Sequence, residues 1–332
     1  MRQYGPEFHI DFQDFVLEIY IIGYRTKGES IVVLFKEQEK VFYSFVIDSY
    51  YKKYKRITNR TISILTGNGV KIIPLLIMSH PHEDHIKGIE GLIGTYCDEN
   101  SQFYYPARSF DIETGEVKLT PKEKKILKLV RENNKNKKTF SNAVGVTAGG
   151  YNMLRTVYLY DINDYNKEYP LPIEIVAITP ITSVNDAKAV NSKLDPNDLS
   201  ISIVVNINDY YLLLGSDITN SHIDKLDREL LSGVKFVKIP HHGSSTADKL
   251  TKFFLPQQLD YACCTNYNVG SSHLPLESIL KEYKIISQRV DVVGCSSKDR
   301  RQGLYGELCY RLSLGATGMN TSVSSIGVTA QV

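Results

Sequence analysis

Residues 72–96, IIPLLIMSHPHEDHIKGIEGLIGTY, run from an apolar segment through a group of polar side chains into a second apolar pattern. The apolar segment is long enough only for a buried strand. After the polar group, apolar residues recur at the spacing of a helix. They are Ile86, Ile89, Leu92 and Ile93. The polar group SHPHEDH therefore lies where a strand ends and a helix begins, which is a favoured place for chemistry.

The heptapeptide SHPHEDH at 79–85 supplies four metal-binding side chains: His80, His82, Asp84 and His85. His80 and His82 point to the same side of an extended segment, because side chains alternate with period two. Imidazole and carboxylate groups suit zinc and also manganese, and four of them in one turn can serve two ions. The alternative is a His-rich surface loop, but three of the eight histidines fall within six positions directly after a buried strand.

Three further stretches carry candidate site residues. Asp217 ends YYLLLGSD, where it could bridge two ions, although a strand-ending Asp taken alone is more often a turn residue. His241 and His242 in KIPHHGSS are candidate ligands or general acids, and one of them could instead be a buried structural histidine. The GSS that follows, with Ser244, could bring backbone N–H groups to an anionic substrate. His273 in SSHLPLES could protonate a leaving group or cap a helix.

The composition excludes several classes of protein. Hydrophobic residues make up 42% of the 332 residues, which is enough for a sizeable core, and a formal net charge of +2 gives no whole-chain signal for nucleic acid. Residues 1–15 are too polar for a signal peptide, and no apolar run approaches the ~18 residues of a membrane span. We therefore expect a cytoplasmic protein without membrane contact. The five cysteines lack CxxC spacing, so free thiols are expected.

The strand signals fall in two halves of the chain. FVLEIYIIGY, SIVVLFKE and VFYSFVIDSY predict an opening β-meander, and PIEIVAITP, SISIVVNI, YYLLLGSD and FVKIPHHGS predict later strands with helices between and after them. TPKEKKILKLVRENNKNKK predicts a helix that starts with a capping Thr120 and Pro121. LYGELCYRLSL near the C-terminus predicts a strand that completes a sheet. We expect one α/β domain over 1–332, with an inserted helical or irregular segment at about 95–170.

Taken together, these motifs resemble the metallo-β-lactamase superfamily, through FVIDS with Asp48, SHPHEDH, LLLGSD and PHHGS. Within it the chain most resembles the soluble hydrolase domain of the DNA-uptake protein ComEC and its stand-alone relatives, through GESIVV at 28–33, NDLSISIVV at 197–205 and a later HLP. The resemblance implies a four-layer αββα sandwich of two mixed β-sheets flanked by helices. It also implies metal ions at one edge of the sheets and a metal-bound hydroxide that attacks an ester, often a phosphodiester.

The resemblance also implies roles for the site residues. One ion would be held by His80 and His82 and the other by Asp84, His85 and a histidine of the 241/242 pair, with Asp217 bridging. Asp48 would orient a ligand histidine. The candidate catalytic residues are Asp84, His242 and His273. Many relatives have a third histidine in the first metal site, but here no histidine occurs between 85 and 217 and the corresponding region holds Asn197 and Ser200. One Zn²⁺ ion or two are therefore expected, with Mn²⁺ as an alternative.

Two basic segments bear on the substrate. Residues 122–138 include Lys122, Lys125 and Lys128, and residues 52–60 combine lysines and arginines with Tyr54. Both segments could bind the phosphates of nucleic acid or of a nucleotide, although a Lys-rich helix is more often a solvated face. The sequence thus favours a metal-dependent phosphodiesterase or nuclease. A hydrolase of a small thioester, lactone or lactam, and a catalytically weak binding module of the same fold, stay as alternatives.

Overall fold

The computed structural model describes residues 5–51, 59–164, 169–294, 305–315, 318–327 and 329–332. In this part of the chain the helices are α1 (Arg60–Gly67), α2 (Glu83–Ile86), α3 (Ile89–Tyr96), α4 (Pro121–Lys137), α5 (Thr182–Asn191), α6 (Asn220–Ile223), α7 (Arg228–Ser232) and α8 (Glu277–Ile286). None of the described helices is both long and apolar enough to cross a membrane.

The strands of the described residues form two large sheets and a hairpin. In chain order they are β1 (Glu7–Ile10), β2 (Phe15–Tyr24), β3 (Glu29–Glu37), β4 (Lys40–Ile47), β5 (Leu75–Ile77), β6 (Gln102–Pro106), β7 (Phe140–Val144), β8 (Asn152–Asp161), β9 (Leu171–Ala177), β10 (Ile203–Ile207), β11 (Tyr210–Leu214), β12 (Val234–Lys238), β13 (Tyr261–Thr265), β14 (Tyr267–Val269), β15 (Ser272–Leu274), β16 (Val290–Val293), β17 (Tyr305–Gly315), β18 (Gly318–Gly327) and β19 (Thr329–Gln331).

The first sheet has the order β18-β17-β2-β3-β4-β5-β6-β7, and the second has the order β1-β8-β9-β10-β11-β12-β13-β16-β19. Both are mixed. In the first, the antiparallel meander β2–β3–β4 continues into the parallel strands β5, β6 and β7. In the second, antiparallel β9–β10–β11 continues into parallel β12, β13 and β16. The predicted meander is therefore confirmed, and so is the predicted C-terminal strand, because β17 pairs with β2.

Three apolar layers hold the sandwich together. The central layer lies between the two sheets and joins residues such as Leu17 and Val33 of the first sheet to Ile175 and Leu212 of the second. A second layer packs α1 to α4 on the outer face of the first sheet, and a third packs α6 to α8 on the outer face of the second. Strands buried on both faces explain the nearly continuous apolar runs in the sequence. The predicted four-layer αββα sandwich is confirmed.

The helix predicted after SHPHEDH is divided into α2 and α3 at Gly88. The backbone N–H of Gly88 donates to the carbonyl of Ser49 at 2.7 Å, and a Cβ at this position would lie 2.5 Å from Ser49 Oγ. The close approach to the loop after β4 thus requires glycine and interrupts the helix. The predicted start of α4 is confirmed, since Thr120 forms a capping box with Glu123 and Pro121 follows it.

The segment at about 95–170 differs from the expected helical or irregular insertion. Besides α4 it contains β6 and β7, which extend the first sheet, and β8, which pairs with β9 in the second. β7 and β8 lie near sheet edges and carry polar and half-buried residues, so their alternation is weak in the sequence. A single domain over 1–332 stays a prediction.

Candidate metal centre

Strand ends bring the predicted site residues to one edge of the sandwich. Asp48 follows β4, His80 follows β5, Asp217 follows β11, and His241 and His242 follow β12. β4 is parallel to β5, and β11 is parallel to β12, so within each sheet these carboxyl ends lie side by side. Residues at the carboxyl ends of parallel strands are well placed for ligand binding. His80 and Asp217 are more than a hundred residues apart in the sequence, and the packing of the two sheets brings them together.

Asp217 lies at the centre of the cluster. Its Oδ2 is 3.5 Å from His85 Nε2, 3.5 Å from His242 Nε2 and 3.7 Å from His80 Nε2. All four side chains are buried. One carboxylate oxygen therefore faces imidazole nitrogens from both sheets, which is the position that a bridging ligand needs.

The ligand atoms of the cluster form two groups, and Asp217 belongs to the first of them. His80, His82 and Asp217 form one group, in which His80 Nε2 is 3.2 Å from His82 Nδ1. Asp84, His85 and His242 form the other, in which Asp84 Oδ2 is 3.5 Å from His242 Nε2 and 3.8 Å from His85 Nε2. The resemblance implied the same two sets of ligands, and their binding of metal ions stays a prediction. The structure places His242, rather than His241, among the ligand atoms.

The buried polar atoms of the cluster fit a divalent metal ion. His85 Nε2, His242 Nε2 and Asp217 Oδ1 have no hydrogen-bond partner within the described part of the chain. A buried polar atom without a partner costs roughly 1 to 3 kcal/mol, so three of them on neighbouring side chains require an explanation. A cation coordinated by these atoms supplies one. Nitrogen and carboxylate donors in this combination suit zinc, and manganese also accepts them.

Hydrogen bonds to the far side of each imidazole fix its orientation. His85 Nδ1 donates to Asp48 Oδ2 at 2.7 Å, and Asp48 also accepts from the backbone N–H of Ser79 at 2.7 Å. His242 Nδ1 lies 2.9 Å from Thr265 Oγ1. With Nδ1 engaged in this way, the Nε2 atom of each ring is directed into the cluster. Such outer contacts are characteristic of metal-ligating histidines.

The charges of the cluster shift the pKa values of its members. Burial alone would lower the pKa of His85, but the carboxylates of Asp217 and Asp48 outweigh it and hold that pKa well above its usual value. Burial alone would raise the pKa of Asp217, but His242 and His85 hold it well below its usual value. Burial and the neighbouring His85 lower the pKa of His80. In the metal-free cluster His80 is therefore neutral at pH 7.

His241 turns away from the cluster. Its Nδ1 lies 2.6 Å from Thr246 Oγ1, and its Nε2 lies 3.4 Å from Asn197 Nδ2. Asn197 thus lies beside the site, where it contacts His241. Ser200 is buried, its carbonyl accepts a hydrogen bond from Thr179 Oγ1 at 2.7 Å, and its own hydroxyl has no partner among the described residues.

A cavity of about 690 Å³ opens above the cluster. Its lining is largely polar and includes Asn197, Ser244 and the exposed His273, whose Nδ1 is 3.4 Å from Asn268 Oδ1 on the β14–β15 hairpin. Tyr267 of the same hairpin places its ring centroid 5.3 Å from that of His242. Predicted site residues from distant parts of the sequence, among them His82, Asp217 and His273, therefore line one cavity.

No protein-family model and no curated protein matches the chain. Among solved structures it is similar to CmlA, a diiron β-hydroxylase from Streptomyces venezuelae, at 14% identity over 83% of this chain and 41% of that chain, with a TM-score of 0.34. It is similar to a mutant of that hydroxylase as well, at 14% identity over 82% of this chain and 42% of that chain, with a TM-score of 0.34. The chain thus spans about two fifths of the hydroxylase's length. It is also similar to AidC, a dizinc quorum-quenching lactonase, at 13% identity over 63% of this chain and 75% of that chain, with a TM-score of 0.29.

The two mixed sheets and their flanking helices form the αββα sandwich that the sequence resemblance implied. The His/Asp cluster lies at the edge where the two sheets meet, as that resemblance also implied.

The lysines predicted to contact substrate do not line the cavity. Lys122 forms an ion pair with Glu83, while Lys125 and Lys128 are exposed on α4 beyond the cavity wall. Only the first turn of α4 reaches the cavity, through Thr120 and Glu123. Residues 52–58, which hold most of the other basic segment, lie outside the described residues.

Sequence reasoning missed a buried ion pair behind the cluster. Lys238 Nζ lies 2.6 Å from Glu29 Oε2, and both side chains are buried. The same Glu29 oxygen accepts from Thr265 Oγ1 at 2.5 Å, and Thr265 in turn contacts His242. A lysine within the otherwise apolar strand FVKIP was the available signal, because charged side chains are almost never fully buried unless they are paired.

Proposed function

We propose that the chain is a metal-dependent hydrolase that cleaves phosphodiester bonds at the His/Asp cluster. The observation that carries this proposal is the group of three buried, neighbouring side chains, His85, His242 and Asp217, each of which has a ligand atom without a hydrogen-bond partner among the described residues. These residues would hold a zinc or manganese ion, which would supply a water activated for attack near neutral pH and would polarise the oxygen of the bond to be broken. Zinc is our first expectation for the ion and manganese the second.

The cavity supports a phosphodiester over an acyl substrate. Outside the His/Asp cluster its wall carries hydroxyl, amide and imidazole groups, including Ser244, Ser272 and Asn197, together with the carboxylates of Glu83 and Glu123 and few apolar side chains. A phosphodiester has two non-bridging oxygens that share one negative charge and that such donors can bind, whereas a thioester or lactone with an acyl chain favours an apolar pocket. The volume of about 690 Å³ is in the range of sites for a nucleotide-sized ligand.

The chain's own residues supply orientation and proton transfer in this proposal. Asp48 and Thr265 hold His85 and His242 in place. Glu83 holds Lys27 at the cavity wall at 3.1 Å, which limits the movement of that lysine. His273, exposed at the rim of the cavity, would donate a proton to the leaving group. A relationship to the ComEC hydrolase domain agrees with this chemistry and is part of the proposal.

The test compares phosphodiester with acyl substrates. Bis-p-nitrophenyl phosphate, a p-nitrophenyl ester, a lactone and a thioester are supplied to the purified protein with zinc or manganese, alongside Asp84→Ala. Asp224→Ala is the matched control, because Asp224 is exposed and pairs with Lys249 away from the cavity lining. We expect metal-dependent cleavage of the phosphodiester by the wild type and the control, and a loss of at least a hundredfold in Asp84→Ala.

Other outcomes separate the alternatives. Cleavage of the ester, lactone or thioester alone would move the assignment to acyl substrates. Bound metal without hydrolysis of any of them would favour a binding module of the same fold.

A further inference from the structure

One face of α4 carries a row of cations that the catalytic cavity does not use. Lys124, Lys128, Arg131 and Lys135 are spaced by four, three and four residues, so at 100° per residue they fall within an arc of about 60°. Lys138, the C-cap residue, follows three residues later. We call these five residues the cationic stripe. Another face of the helix, with Leu127 and Val130, is buried against the fold.

The cations of the stripe are not engaged in ion pairs with other described residues. Within the described residues none of its five cations forms an ion pair, whereas Lys122, on a different face of the same helix, is paired with Glu83. Lys128, Arg131, Lys135 and Lys138 are exposed. Charges that already have partners contribute little to ligand binding, so the stripe is the strongest free cationic feature on this helix.

The stripe leads away from the catalytic cavity. Thr120 and Glu123 at the start of α4 line that cavity, and Lys124 is the next residue. Lys138 follows Lys124 by fourteen positions, which span about 21 Å at 1.5 Å per residue. A chain of phosphates that entered the catalytic cavity at one end could therefore continue along the helix.

A second cavity, of about 590 Å³, lies at the far end of the stripe. We call it the distal cavity. Arg131, Lys135 and Lys138 line it together with the rings of Tyr105 and Phe110, which pack edge to face with centroids 4.7 Å apart. Its other lining residues are Asp111, Asn134, Thr139 and Ser141.

Two polar atoms of this lining have unused hydrogen-bonding capacity. Thr139 Oγ1 and Asn134 Oδ1 are buried and have no hydrogen-bond partner among the described residues. Thr139 as a whole is only 7% exposed. The distal cavity thus combines three cations, two aromatic rings and unpartnered polar atoms, with one opposing carboxylate from Asp111.

We propose that the cationic stripe and the distal cavity bind an unpaired strand of nucleic acid, whose phosphodiester reaches the His/Asp cluster at the other end of α4. This proposal rests on the proposed function and names its substrate class. The lysines and Arg131 would contact successive phosphates, and a base would stack on Tyr105 or Phe110. A duplex is a poorer fit, because its bases are already stacked and cannot reach the rings.

The test measures binding separately from cleavage. Fluorescence anisotropy of a labelled twelve-nucleotide single strand is recorded in the presence of a chelator, at several salt concentrations, for the wild type and for Lys128→Gln/Lys135→Gln. Lys137→Gln/Lys284→Gln is the matched control, with the same loss of two charges away from the stripe. We expect the slope of log K against log salt to fall by about 1.4 in the stripe variant and to stay unchanged in the control.

A second variant tests the distal cavity. Phe110→Leu keeps an apolar side chain but removes the aromatic face, and its thermal unfolding shows whether the fold is intact. We expect it to bind the single strand roughly 5- to 100-fold more weakly than the wild type. A matched blunt duplex should bind more weakly than the single strand and should not respond to Phe110→Leu.

The outcomes also separate this inference from the proposed function. Equal loss of binding in the stripe and control variants, or binding of anionic lipid vesicles but not of the strand, would overturn the inference. Cleavage of bis-p-nitrophenyl phosphate without stripe-dependent strand binding would leave the proposed function standing alone. Stripe-dependent binding without any phosphodiester cleavage would support the binding surface and contradict the proposed function.

Discussion

Replacing Lys238 with methionine should destabilise the protein by about 3 to 5 kcal/mol, because it leaves the carboxylate of Glu29 buried without its partner. The two side chains come from different sheets, β12 and β3, and their charged atoms lie 2.6 Å apart. At an effective dielectric constant of about 20 the attraction at this distance is about 6 kcal/mol. Desolvating the two ions costs several kcal/mol each, so the intact pair is worth little net.

The double variant Lys238→Met/Glu29→Gln separates the loss of the pair from the burial of a lone charge. It removes both charges, and we expect it to be more stable than Lys238→Met alone by about 2 kcal/mol or more. Urea unfolding followed by circular dichroism, on metal-free protein, gives the free energy of unfolding for the wild type, both single variants and the double variant. Metal-free protein is used so that a change in metal binding does not contribute to the measured free energy of unfolding.

A cost below 1 kcal/mol for Lys238→Met, or additive effects in the double variant, would refute the reasoning. Either result would mean that Glu29 has water or another cation available in the folded protein, contrary to its buried position between the two sheets.

Two further predictions concern single histidines. Asp48→Asn removes the carboxylate that accepts from His85 Nδ1, so zinc should bind about 10- to 100-fold more weakly by calorimetry, and an unchanged affinity would contradict the role of Asp48. His222 is fully buried, and burial, reinforced by Lys188, lowers its pKa to about 4 from 6.5. As the pH falls, His222 therefore takes up its proton at a higher pH in the unfolded chain than in the folded chain. The wild type should lose up to about 3 kcal/mol of stability between pH 6.5 and pH 4. Urea unfolding at pH 7 and pH 4.5 should show less of this loss in His222→Gln; equal losses in the two proteins would assign the pH dependence to other groups.

The first half of the candidate site could be predicted from the sequence because it is local. SHPHEDH follows a buried strand directly, so the strand end and the helix start determine where His80 and Asp84 lie relative to each other. The contribution of Asp217 was a weaker prediction, because a strand-ending Asp is common and only the packing of the two sheets brings it 3.5 Å from His85.

The choice between His241 and His242 could not be made from the sequence. Both residues have left-handed backbone angles, with φ of 48° and 50°, and this turn sends one ring into the cluster and the other toward Asn197 and Thr246. The partnership of Glu29 and Lys238 was also hidden, since more than two hundred positions separate them in the chain. Contacts between sheets depend on the register of whole strands, which residue patterns within one strand do not specify.

The rate of bis-p-nitrophenyl phosphate hydrolysis as a function of zinc bound per chain tests the central claim most directly. The wild type is titrated with zinc, and bound metal and rate are read from the same samples, with Asp217→Asn and the surface control Asp224→Asn alongside. Because Asp217 lies between both groups of ligand atoms, the account predicts a rate that rises with bound zinc and saturates at one or two ions per chain in the wild type and the control, with little zinc and no rise in Asp217→Asn. A rate independent of zinc, or full zinc binding and full activity in Asp217→Asn, would contradict it.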